Sequence, residues 1–224
     1  MIHDSDDHDH DHDHDHDHGH DHDHDHDRTF QPDLKEPTEP WEFLEIALRE
    51  LMIEKEILTA REIQEKIEEW DGKCPEIGAR IVARAWADPA FKSRLLADGN
   101  AAVAEDGLEV PGLKLVVLEN TPKLHHMVVC TLCSCYPRTI LGLPPLWYKS
   151  REYRSRAVRE PRAVLAEFGT TLPDAVEVRV VDSTADCRFL VLPRRPAGTD
   201  DWTEERLAGI VTRDSMIGTA VVKA

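Results

Sequence analysis

Three cysteines fall within the six-residue run Cys130-Thr131-Leu132-Cys133-Ser134-Cys135. Sulfurs at positions 1, 4 and 6 of such a run are close enough in sequence to reach one ion from a single tight loop. Thiolates are soft, strongly donating ligands that suit late first-row metals and exclude magnesium or calcium. Any fold of this chain must therefore present that loop with its sulfurs converging.

Other uses of the cysteines are weaker. A C-x-x-C pair alone occurs in zinc ribbons and in thioredoxin-like redox sites. A structural zinc site wants four protein ligands, and the nearest additional candidates, His125 and His126, precede the run by only a few residues. A Cys130–Cys133 disulfide would strand Cys135 as a reactive thiol in a reducing compartment. A purely structural trio sits poorly with the polar Thr131 and Ser134 and with Tyr136-Pro137, which reads as a turn. The remaining cysteines, Cys74 and Cys187, read as small buried residues. Five cysteines without an export signal point to metal or redox chemistry over a disulfide framework.

Residues 1–27 hold 11 of the 13 histidines and 12 aspartates, with no lysine or arginine. Almost no apolar surface is available there to offset chain entropy, so a disordered tail is expected. Its Asp-His repeat from Asp7 to Asp27, broken at Gly19, offers imidazoles and carboxylates for weak multisite binding of cobalt, nickel or zinc, or merely solubility. Those aspartates account for most of the formal net charge of −17 and leave −5 for residues 28–224. That is an ordinary balance for a soluble domain and argues against a nucleic-acid or lipid surface. No window approaches a membrane span, and the basic and apolar segments of a secretion signal are lacking, so a cytoplasmic protein is expected.

The expected organisation is a tail and proline-spaced linker over 1–40, then one α+β domain over 41–224. Its first part, 41–100, is a helical N-terminal arm, and 108–224 is a layered α/β globule holding the cysteine loop. Apolar spacing at Leu44, Leu48, Leu51 and Met52 predicts a helix over 41–56. Thr59 and Glu62 form a capping-box pattern for a second helix ending near Asp71-Gly72. A third helix spans 75–87, with Ile77, Ile81, Val82, Ala85 and Trp86 on one face. Asp88-Pro89 opens a short fourth, to Gly99. Strands are expected at 113–118, 127–130, 176–181 and 188–192, the last two joined by a polar turn at 182–186. Helices are expected over 151–167, bent or restarted at Pro161, and over 202–211, with the helices packed outside one small sheet.

The run Val129-Cys130-Thr131-Leu132-Cys133-Ser134-Cys135-Tyr136-Pro137, followed by Leu141-Gly142-Leu143-Pro144-Pro145 and Trp147-Tyr148-Lys149, resembles the α subunit of nitrile hydratase and the homologous γ subunit of thiocyanate hydrolase. Similar flanking segments are Gly78 to Trp86, Leu192 to Thr199 and Val211 to Gly218, so the resemblance covers residues 40–220. Thr131 at the second claw position implies one non-corrin Co(III) per subunit in place of Fe(III). Carried over by position, the resemblance makes Cys130 the axial thiolate. Cys133 and Cys135 become equatorial sulfurs oxidised to sulfinate and sulfenate, and the main-chain nitrogens of Ser134 and Cys135 complete a plane with one open site. It implies hydration of a small nitrile to its amide, with Cys135, Cys133 and Ser134 at the reacting centre. It further implies a β-type companion subunit, whose arginines would steady the oxidised sulfurs, and a cobalt-insertion activator protein.

One residue departs from the nitrile hydratase pattern. Three positions past Cys135, where those enzymes commonly carry Trp, this chain has Arg138. Cys-Tyr-Pro-Arg and the Asp/His-rich N-terminus resemble thiocyanate hydrolase, whose γ chain assembles with α and β chains, and an arginine suits an anion better than a neutral nitrile. Leu143-Pro144-Pro145 and the short end after Gly218 favour nitrile hydratase, which is the leading expectation. Outside this family, a non-catalytic cobalt-handling protein stays open. Asp182 and Arg188, at the two ends of one turn, are expected to pair beside the site or to form a surface ion pair. Tyr136 and Trp147 would line the pocket or pack, with packing favoured for Trp147.

Overall fold

The structure is a computed structural model and describes residues 39–224; the expected tail and nearly all of the linker lie outside them. The chain divides into two units, one ending at Leu51 and one beginning at Met52. Helix α1, Pro40–Glu54, buries none of its residues, and its apolar spacing leaves Trp41, Leu44, Leu48 and Leu51 exposed.

In the second unit, α2 spans Ala60–Asp71. The expected capping box is present: the Thr59 N–H donates to Glu62 Oε2 at 2.8 Å and the Glu62 N–H to Thr59 Oγ1 at 3.2 Å. Helix α3, Pro75–Ala87, buries Ile77, Ile81, Val82 and Ala85 on the predicted face. Asp88 caps α4, Pro89–Ala97, by accepting from the Ala90 and Phe91 N–H groups. The expectation had one helix stop near Gly99; instead Asp98 caps a further short helix, α5, Gly99–Ala104. The first residue of that helix is glycine where any Cβ would stand 2.6 Å from the Leu115 carbonyl oxygen.

Four strands follow: β1 Lys114–Glu119, β2 Leu124–Val129, β3 Glu177–Asp182 and β4 Cys187–Leu192. Between β2 and β3 lie α6 Arg138–Leu141, α7 Leu146–Lys149, α8 Arg151–Arg159 and α9 Pro161–Glu167; α10 Glu204–Ala208 and α11 Arg213–Ile217 close the chain. The break at Pro161 falls where expected; the helix expected over 202–211 forms as the shorter α10, and α11 follows as a helix that was not expected.

The single small sheet is a misreading. Strands β1 and β4 pair in parallel, as do β2 and β3, in two separate two-stranded sheets. The polar turn after Asp182 therefore joins strands of different sheets and is no hairpin. Parallel partners need long crossovers, and here α6 to α9 supply the one from β2 to β3.

Side chains occupy backbone groups on the sides of β1 and β2 away from their partners. Asn100 donates to the Leu113 carbonyl and accepts from the Leu115 N–H, at 2.9 and 2.7 Å. Asn120 Oδ1 accepts the His126 N–H at 2.7 Å, and the Tyr153 hydroxyl donates to the Val128 carbonyl at 2.6 Å. Such pairing avoids buried orphan groups. Phe91, Leu95, Leu115, Met127, Leu165, Leu190 and Leu192 fill one core, each contributing about 1.5–3 kcal/mol by burial. Among the described residues no helix is long and apolar enough to cross a membrane.

Candidate metal centre

The cysteine loop begins where β2 ends. Val129, the last residue of β2, is fully buried and pairs in register with Asp182, the last residue of β3. The Ser183 N–H extends the ladder to the Val129 carbonyl at 2.8 Å. The chain thus leaves a fixed strand end, with buried Cys130 first and the rest of the loop reaching outward.

Within the loop the three sulfurs converge. Cys133 Sγ lies 3.6 Å from Cys130 Sγ and 3.3 Å from Cys135 Sγ, and all three are within 4.8 Å of one another. Cys130 is buried, Cys135 half-buried and Cys133 exposed. The Cys133 N–H donates to Cys130 Sγ at 3.3 Å, which folds the backbone around the first sulfur. Among the described residues this trio is the one His/Cys/Asp/Glu cluster spaced for an ion, and His125 and His126 do not join it. Soft sulfur donors on a preformed, partly open loop fit a late transition metal.

Unequal surroundings separate the thiols. Hydrogen bonding from Cys135, then from the Ser134 backbone and Cys130, lowers Cys133 to about 7. Burial first, then its bonds to Cys133 and Cys130, pushes Cys135 up to about 12, while the charge of Arg188 pulls the other way. Of these two, negative charge settles first on exposed Cys133.

Three side chains outside the run hold its backbone. Asp182 accepts the Thr131 N–H at 2.9 Å with one carboxylate oxygen and the Thr131 hydroxyl at 2.5 Å with the other. Arg154 of α8 donates to the Thr131 carbonyl at 3.4 Å. The buried Tyr148 hydroxyl donates to the Cys135 carbonyl at 2.8 Å. Tyr148 is reached through an aromatic cluster with Tyr136, Trp147 and Tyr153; Trp147 also packs edge-on against Phe168, so the packing reading holds for it.

The expected Asp182–Arg188 pair does not form. Asp182 is engaged by Thr131, and Arg188 donates to the carbonyls of Thr184, Ala185 and Cys187, with only its charge felt at Cys135. Tyr136 is buried, and its hydroxyl has no hydrogen-bond partner. Ser134 is half-exposed, and Arg138 is exposed at the start of α6, with no ion pair among the described residues. Sequence reasoning missed Tyr148 and Arg154 as supports of the loop. Their signals were faint: Trp147-Tyr148-Lys149 entered only through the family resemblance, and Arg154 is one arginine of several in its segment.

This loop, fixed by a parallel strand register and carrying three convergent sulfurs, is the centre of a metal-binding enzyme subunit. Residues 39–220 match the family model described as nitrile hydratase, alpha chain. The chain belongs to that family. It is 52% identical over 177 residues to the low-molecular weight cobalt-containing nitrile hydratase subunit alpha of Rhodococcus rhodochrous, covering 78% of this chain and 86% of the relative. It is 48% identical over 200 residues to the thiocyanate hydrolase subunit gamma of Thiobacillus thioparus, covering 84% and 82%. A solved double mutant of an iron-type nitrile hydratase from Comamonas testosteroni Ni1 superposes with a TM-score of 0.78 at 44% identity, over 84% of this chain and 93% of that one. Cobalt and iron proteins thus share the fold.

Proposed function

We propose that this chain is the metal-carrying subunit of a cobalt nitrile hydratase that adds water to a nitrile to give the amide. The observation that carries the reading is the convergence of Cys130, Cys133 and Cys135 on one side of a backbone-clamped loop. Those three sulfurs and the main-chain nitrogens of Ser134 and Cys135 would hold the ion. Thr131 and the 52% identical cobalt-containing relative support Co(III) over Fe(III). When bound, the ion would supply Lewis-acid activation of nitrile or water.

The chain's own residues prepare that chemistry. Asp182 and Arg154 fix the Thr131 peptide, and Tyr148 fixes the Cys135 carbonyl, so both ends of the ligand run are oriented before metal arrives. In this reading Cys133 would be carried as a sulfinate and Cys135 as a sulfenate, a six-electron oxidation of the two thiols that takes its oxygens from an external oxidant such as dioxygen, and the sulfenate oxygen would serve as nucleophile or base. Oxidised sulfurs need cationic donors. Leu132, exposed within the loop itself, supports a companion β-type subunit that supplies them and closes the site. An activator protein that inserts cobalt belongs to the same reading.

Arg138 favours a second reading, a γ-type subunit that hydrolyses thiocyanate to carbonyl sulfide and ammonia. Its exposed guanidinium, three residues from Cys135 and without an ion pair among the described residues, suits an anion. One experiment separates the readings: purify the chain with the chains encoded beside it, then assay amide from nitriles against carbonyl sulfide and ammonia from thiocyanate. Bound cobalt with neither activity would leave only the metal-handling alternative. Mass spectrometry of the claw peptide should show three added oxygens across Cys133 and Cys135, and fully reduced thiols in active enzyme would overturn the mechanism.

A further inference from the structure

Helix α8 buries Tyr153 and Ala157 and turns Arg151, Arg154, Ser155, Val158 and Arg159 outward. Their spacing of i, i+3, i+4, i+7 and i+8 makes one continuous stripe. The stripe lines an open groove of about 660 Å³ whose far wall is Thr131 of the cysteine loop, and the Arg154 bond to the Thr131 carbonyl joins the two.

Charge in this groove is unbalanced. Arg156 is neutralised by Glu160 and Glu167, but among the described residues Arg151, Arg154 and Arg159 have no ion-pair partner; the latter two bond to Ser150, Thr131 and Ser155 oxygens. Glu152 is the sole carboxylate lining the groove. Elsewhere Arg49, Arg61, Arg84, Arg94 and Arg179 each face a carboxylate, whereas Arg188 bonds only to carbonyl oxygens. Three such guanidiniums stand together on one helix face, and half-exposed Val158 adds an apolar anchor between them.

We propose that the α8 groove is a docking surface for an acidic segment of the companion subunit, its carboxylates facing Arg151 and Arg159 and its apolar side chains reaching Val158. The inference rests on the reading of this chain as a subunit whose site another chain closes. Charge complementarity identifies the occupant: like-signed guanidiniums about one turn apart repel until carboxylates lie between them, and continuity with Thr131 places the contact beside the metal loop. Docking there would hold Arg154 on the Thr131 carbonyl and couple assembly to loop geometry.

The test uses the complete complex. Co-express the chain and its neighbouring chains as wild type, Arg151→Glu/Arg159→Glu, Arg151→Gln/Arg159→Gln and, as a control, Lys123→Glu, an exposed residue away from the groove. Measure subunit association against salt, cobalt content and both activities. The double reversal should weaken association at least about tenfold at low salt and flatten its salt dependence. The glutamine pair should do so to a lesser degree, while Lys123→Glu changes neither and cobalt per chain persists in all. Association of either double variant with wild-type affinity and salt slope overturns the proposal. Should the reversal misfold by circular dichroism, the glutamine pair decides. An effect on association in a complex that turns over neither substrate would sink the catalytic reading and leave the surface standing.

Discussion

Asp182 accepts two hydrogen bonds from one residue, Thr131, and so ties the end of β3 to the second position of the metal loop. The register that pairs Val129 with Asp182 brings the carboxylate there. Asp182→Asn leaves one acceptor oxygen for two donors, and Thr131→Ala removes the hydroxyl. Each should lower cobalt affinity or turnover about 10–100-fold, the usual cost of losing such support. Thr131→Ser retains both bonds and should hold the loop. Metal analysis beside circular dichroism checks this; an Asp182→Asn protein with native cobalt content and rate would refute the clamp.

Local order was legible where the code is local. The Thr59/Glu62 box, the Asp88-Pro89 cap and the apolar face of α3 each name their own element. Strand pairing was not: β1 finds β4, and β2 finds β3, across more than 50 residues, and no spacing within a strand names its partner. The turn after Asp182 looked like a hairpin because polar turns are alike whether or not their strands pair. At the site, the sulfurs were readable as a metal run, whereas Asp182, Arg154 and Tyr148 reach it only through the tertiary fold.

Gly218 is a sharp test of how α11 meets β2. It adopts φ +89°, and a Cβ there would stand 2.0 Å from the His126 carbonyl oxygen. Gly218→Ala therefore combines a left-handed backbone, costing about 1–2 kcal/mol, with a clash against backbone that cannot yield cheaply. Thermal unfolding should show a loss above about 3 kcal/mol or failure to fold. A variant of near-native stability would show that the helix end can move away from β2.

His125 should give stability a pH dependence. Its Nε2–H donates to the Gly218 carbonyl at 2.7 Å, so Nδ1 accepts from the Asn120 amide at 3.2 Å and the ring is neutral. Burial pushes the ring below its ordinary 6.5, against a smaller upward pull from the Gly218 carbonyl. Below 6.5 the unfolded chain therefore binds a proton that the folded chain resists. The contribution is complete above that pH and drains away as pH falls through 6.5 toward the lower folded value. Buried His126 is shifted the same way, also chiefly by burial. Melting temperature should be flat near pH 7.5 and fall toward pH 5. His125→Gln should start lower but fall less steeply, and an unchanged slope would clear His125 of the effect.

Arg138 decides between the two substrates by charge. Its side chain is exposed and has no ion pair among the described residues, so Arg138→Ala should leave folding within about 0.5 kcal/mol. If the substrate is an anion that Arg138 attracts, removing this cation three residues from Cys135 should raise KM for thiocyanate with a smaller change in kcat, and should weaken the salt dependence of kcat/KM. Screening accounts for the sign: added salt depresses the wild-type rate constant because it masks an attraction, and the alanine variant has less attraction to mask. A neutral nitrile feels no net Coulomb pull, so its kcat/KM should shift only through pocket shape. Arg138→Lys keeps the charge without the planar fork and should recover most of the thiocyanate KM if charge alone acts, but little if bidentate contact is needed. Steady-state kinetics on both substrates at low and moderate salt check this. A thiocyanate KM indifferent to Arg138→Ala would remove the residue from substrate choice and leave the nitrile reading without its competitor's main support.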